Sequence, residues 1–106
     1  MNDRELLELA AKAAGISIDY WAGDCPRITT AAFPVAWNPL TDDGDALRLA
    51  VELRLNFTTG DLACAASWPP HKAWVNEVVE AHQDNRASAT RRAIVLAAAE
   101  IGRAME

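Results

Sequence analysis

A chain of 106 residues with a formal net charge of −5 has room for one domain, 1–106, and one modest core. Ten basic residues are scattered among fifteen acidic ones; the clustered Lys and Arg that displace counterions from a phosphate backbone are missing, so nucleic acid is disfavoured as a partner. An apolar fraction of 51% argues against disorder, yet no apolar run approaches a membrane span, and Asp3, Glu5 and Glu8 break up any signal-like leader.

Residues 3–14, DRELLELAAKAA, place Leu6, Leu9, Ala10 and Ala13 on one helical face with Leu7 and Ala14 beside them. Arg4, Glu8 and Lys12 step along the opposite face. Asn2 or Asp3 can cap this helix and Gly15 can end it in a left-handed turn. Residues 16–21, ISIDYW, alternate apolar and polar and predict a short strand. From Ala22 to Pro39 the chain carries Gly23, Pro26, Pro34 and Pro39 with little periodicity. It reads as an irregular connection with one extended piece near Arg27 to Ala32, long for a loop in a compact domain.

A second helix is expected from near Asp42 to near Leu55. Ala46, Leu49, Ala50 and Leu53 form its apolar row, Leu47 and Val51 widen it, and Asp45, Arg48 and Glu52 form a wet stripe. Leu55–Thr59 and Leu62–Trp68 read as strands joined at Gly60-Asp61, and Pro69-Pro70 forces a break. Residues 73–81, AWVNEVVEA, fit either period; the β-branched valines and the need for a third strand favour a strand. A last helix covers roughly Arg86 to Met105, with Ile94, Ala97, Ala98, Ile101 and Met105 as its buried row. No internal repeat is visible. The expected class is α+β, a layered sandwich of about three helices and a small, mainly antiparallel three- to four-stranded sheet.

The stretch most like chemistry is Asp42-Asp43-Gly44-Asp45. A calcium loop counted from Asp42 would need a glutamate at its twelfth position, where Leu53 stands. Capping fits better: Asp42 can accept from free N–H groups, and Asp43 and Asp45 oppose the positive helix end. Trp21, Trp37, Trp68 and Trp74 are either core anchors or contact residues, and Trp68 and Trp74 flank the turn Pro69-Pro70-His71-Lys72. The candidate binding set is therefore Trp37, Asp42, Asp43, Asp45, Trp68 and Trp74. Cys25, Cys64, His71 and His82 match no structural zinc spacing, both histidines read as solvent-facing, and no metal, cofactor or catalytic constellation is expected. Two cysteines without a CxxC pair point to a reduced cytosolic chain. Arg86, Arg91, Arg92 and Arg103 make a modest basic stripe that reads as a solvated face.

WNPLTDDGDALRLAVEL at 37–53 and ATRRAIVLAAAEIG at 89–102, with AAKAAG closing the first helix, resemble the phage ABA sandwich domain family, small proteins of tailed phages and prophages. The resemblance implies layered helices and sheet, a phage or prophage origin, and action in the cytoplasm of the host bacterium. It carries over no activity. The expected function is a non-catalytic protein-binding module for a host or phage protein. The alternatives are a host-defence inhibitor acting through its acidic surface, a small ligand-binding or enzymatic domain using Asp42–Asp45 and Trp37, and a homodimer burying Ala97, Ala98 and Ile101.

Overall fold

The computed structural model describes residues 2–30, 33–60, 63–68, 73–78 and 85–105; at 30, 63–65, 67–68 and 73–78 it describes the backbone alone. The chain runs α1 (Asp3–Ala14), β1 (Tyr20–Ala22), β2 (Cys25–Thr30), β3 (Phe33–Ala36), α2 (Asp43–Leu53), β4 (Asn56–Thr59), β5 (Ala63–Trp68), β6 (Ala73–Val78), α3 (Arg86–Ala104). The class is α+β. All strand pairs are antiparallel, in two three-stranded sheets ordered β1-β2-β3 and β4-β5-β6.

Local chemistry sets the helix limits. The Asn2 side chain accepts from the Glu5 N–H at 2.8 Å, and Asp42 accepts from the Asp45 N–H at 2.8 Å, each satisfying a donor that the first turn leaves without a helical partner. Both helices stop in a left-handed residue, Gly15 at φ 71° and Arg54 at φ 56°. The next N–H then reaches back into the last turn, Ile16 to the Ala11 carbonyl at 2.8 Å and Leu55 to that of Ala50 at 2.9 Å. Asn85 caps α3 through the Ser88 N–H.

The expected strand at 16–21 is shorter than its alternation implies, since pairing begins at Tyr20. Just before it, the Asp19 N–H donates to the Arg27 carbonyl at 2.9 Å, and the Asp19 carboxylate accepts from the Thr29 hydroxyl. The segment from Ala22 to Pro39 is more regular than expected: the extended piece expected near Arg27 is part of β2, and β3 follows it. β1 and β2 turn at Gly23-Asp24, with Gly23 at φ 65°. β3 then pairs Val35 with Ile28 and Pro34 with Thr29. Pro34 is tolerated because β3 is an edge strand, and the buried Pro26 contributes its carbonyl to the Trp37 N–H at 3.0 Å.

The second sheet follows the expected strands. Residues 73–78 pair with β5, Ala66 opposite Val75, so the strand period prevails over the helical one there. The ends of the expected segments, at Asp61, Leu62 and 79–81, lie outside the described residues, as do the Pro69-Pro70 break and both histidines. The order helix, three strands thus occurs twice, a repeat at the level of topology that no sequence similarity announces.

α3 touches α1, α2 and every strand of the second sheet. The core joins Leu6, Leu7, Ala10 and Ala11 of α1, Ala46, Leu49 and Ala50 of α2, and Ala93–Val95 and Ala97–Ala99 of α3, with Trp37, Leu55 and Ala66. α1 and α3 approach until a Cβ on Gly102 would stand 2.1 Å from the Leu9 carbonyl oxygen. Two burial expectations and the expected dimer face are corrected. Met105, past the end of α3, is exposed, and Ile101 is only partly buried because Gly102 beside it is the position turned against α1. Leu47 and Val51 do not widen the buried face of α2; they are 53% and 68% exposed. Ala97 and Ala98 are fully buried inside this chain, so they cannot form a dimer face.

Candidate functional site

The turn at 37–42 positions the carboxylates at the start of α2. Asn38 organises it: its carbonyl accepts from the Asp42 N–H at 2.9 Å and the Thr41 N–H at 3.1 Å, and its Oδ1 accepts from the Leu40 N–H at 3.0 Å. Asp45 holds this turn against the helix. Its Oδ2 accepts from the Asn38 N–H at 2.9 Å and its Oδ1 from Arg48 Nη2 at 2.7 Å. Asp45 is only 9% exposed and so leaves the wet stripe that helical periodicity assigns to it; the turn folds over it and supplies the donors that a buried carboxylate requires. Asp42 caps the helix and stands 3.9 Å from Arg48 Nη2. Asp43 pairs with Arg91, whose Nε also donates to the Leu40 carbonyl at 2.9 Å.

Each carboxylate of the cluster therefore has a structural partner, as the capping account requires. Among the described residues every buried side-chain nitrogen and oxygen is hydrogen-bonded, and no group of three His, Cys, Asp or Glu side chains is arranged to hold a metal ion. Trp37 is 5% exposed and part of the core, so it anchors the turn. Trp68 and Trp74 sit one rung apart, Trp68 opposite Ala73 and Trp74 opposite Ser67. The candidate set is thus divided between the α2 start and the far hairpin.

The basic stripe is not a solvated face throughout. The Arg91 side chain is 16% exposed and bound to the start of α2. Arg92 reaches the start of α1, donating from Nη1 to Asp3 at 3.0 Å. Consecutive positions on a helix differ by roughly 100°, which lets these neighbours serve two different helices. The signals in the sequence were an aspartate in the first turn of each early helix and the Arg91-Arg92 pair; the match between them becomes visible only once the chain has folded.

Recesses open on the surface of the described residues. One, about 640 Å³, lies between the start of α1, the β1–β2 turn and the turn at 38–41. A second, about 480 Å³, is walled by Ile16, Ile28, Val35 and Leu49 with Trp37. A third, about 400 Å³, runs between α2, β4 and the start of α3, where Leu47, Phe57 and Ile94 line it. Beside it Leu47, Val51 and Phe57 are exposed apolar side chains.

No helix of the described residues is long and apolar enough to cross a membrane. Comparison with family models, with curated proteins and with solved structures finds no match to this chain.

Proposed function

We propose that this chain is a non-catalytic protein-binding module, of phage or prophage origin, acting on a host or phage protein in the cytoplasm of the host bacterium. The observation that carries the reading is the apolar shoulder of Leu47, Val51 and Phe57 beside the α2–β4 recess. Side chains of this kind, rimmed by the Asp43–Arg91 pair, are the makings of an interface centre. The sequence resemblance supplies the phage setting. Since Asp42, Asp43 and Asp45 are engaged within the chain, the apolar shoulder is a better contact surface than the acidic cluster.

The test is recovery of a stoichiometric partner from the host lysate by tagged wild type and by the Leu47→Glu/Val51→Glu double variant. Both side chains are exposed, so the variant should melt within about 1 kcal/mol of wild type while losing the partner. Equal recovery by both proteins would move the surface elsewhere. An empty capture at physiological salt by well-folded wild type would remove the binding-module reading.

A further inference from the structure

The recess between the start of α1 and the β1–β2 turn shares no lining residue with the apolar shoulder, and its chemistry is different. Arg4 projects from the first turn of α1 and lies over Trp21, its guanidinium carbon 4.4 Å from the ring centroid. This cation–π contact leaves the guanidinium N–H groups without a carboxylate partner, and such a group can meet a carboxylate in a two-point bond. Asp24, at the β1–β2 turn, lines the same recess. Among the described residues neither Arg4 nor Asp24 has an ion-pair partner. Asp3, the remaining charged group of the lining, is matched by Arg92.

The polar neighbours are also fixed. Asn38 commits its Oδ1 to the Leu40 N–H, which turns its amide NH2 into the end left for a visitor. Leu40 and Trp21, both partly buried against the core, supply the apolar part of the wall. The recess thus combines a guanidinium and a carboxylate without ion-pair partners, an asparagine amide and an apolar wall, in a volume typical of small-ligand sites. A plain anion would meet Asp24, and a plain cation would meet Arg4. A molecule carrying both charges satisfies each of them.

We infer that this recess binds a small zwitterion, an α-amino acid with an apolar side chain. Its carboxylate lies on the Arg4 guanidinium, its ammonium on Asp24, and its side chain against Trp21 and Leu40.

The experiment is a titration of the ¹⁵N-labelled chain with L-leucine, followed in the Trp21 indole and Asn38 amide signals. Leucinamide, which lacks the carboxylate, and 4-methylpentanoate, which lacks the ammonium, are run beside it. Saturable shifts are expected with L-leucine, and binding about tenfold or more weaker with either half-ligand, since each forfeits one charge-assisted contact. Arg4→Gln and Asp24→Asn, both exposed positions, should each weaken L-leucine about tenfold with unchanged melting curves. The proposal is overturned by the absence of saturable shifts up to roughly 20 mM L-leucine. Half-ligands that bind as well as L-leucine, or an Asp24→Asn variant that binds it undiminished, would overturn it equally.

Discussion

α1 with β1–β3 and α2 with β4–β6 follow one plan, and the ends of the two helices match bond for bond. Each begins with a side-chain cap on the third residue beyond it, has an aspartate in its first turn held by an arginine of α3, and ends in a left-handed residue with the same backward hydrogen bond. The means of anchoring differ. α1 adds to its Arg92–Asp3 pair a close backbone approach at Gly102. α2 is held through polar bonds, Asp45 to the turn before it and Arg91 to both the turn and the helix. Equivalent positions carry different duties: Glu5, three residues after the first cap, is exposed, whereas Asp45, three residues after the second, is buried. Matching local plans therefore do not imply matching energetics.

The difference can be broken most sharply at Gly102. An alanine there gains about 1 kcal/mol of helix propensity, but its Cβ meets the Leu9 backbone at 2.1 Å, which no rotamer change relieves. The expected net loss is about 2–3 kcal/mol in urea unfolding; an unchanged midpoint would show that α1 and α3 have slack. Next comes Asp45→Ala, which leaves the Asn38 N–H and Arg48 without their acceptor and should cost about 2 kcal/mol. Glu5→Ala, the matching change in the first half, should stay within about 0.5 kcal/mol. Equal losses at the two positions would erase the contrast.

Smaller still is the contrast between neighbouring arginines. Arg91→Met removes bonds to Leu40 and Asp43 from a mostly buried side chain and should cost about 1 kcal/mol. Arg92→Met loosens a pair whose aspartate is 67% exposed, and should cost about half as much or less. Thermal melts of the two single variants under one buffer decide the order. The last change runs in the opposite direction: Arg54→Gly relieves a left-handed conformation that a side chain disfavours and should stabilise by about 0.5–1 kcal/mol. Gly15→Ala at the equivalent site should destabilise by a similar amount. A neutral Arg54→Gly would mean that its side chain contributes as much as its backbone costs.

These expectations draw on features with different visibility in the sequence. Caps and helix faces are local properties, so Asn2, Gly15, Asp42 and the alanine rows of α2 and α3 could be read directly from residue order. The strands β4, β5 and β6 were legible for the same reason. The first sheet was legible only in part: the strand expected at 16–21 overlaps β1 and the extended piece expected near Arg27 overlaps β2, whereas β3 and the pairing were hidden. Pro26 and Pro34 read as loop punctuation, yet both lie in strands, one with its carbonyl bound to Trp37 and the other at an open edge. The burial of Asp45 was hidden as well, because it depends on a turn folding back over the helix face. The site chemistry followed that division: the capping role of Asp42 was legible, and the recess joining Arg4, Trp21, Asp24 and Asn38 was not, since it gathers residues from three separate segments.

Residues 86–104 are made after both helix-and-strand units, yet Arg91 and Arg92 secure the first turns of α2 and α1, and Gly102 receives the backbone of Leu9. Neither unit can settle on its final support until that segment has emerged from the ribosome. Closing contacts across 89 positions, from Asp3 to Arg92, places a slow, entropically costly search late in folding. During synthesis, the apolar faces of α1 and α2 that later meet α3 stay open to other chains. Truncations or stalls before residue 86 should therefore produce aggregation-prone nascent chains.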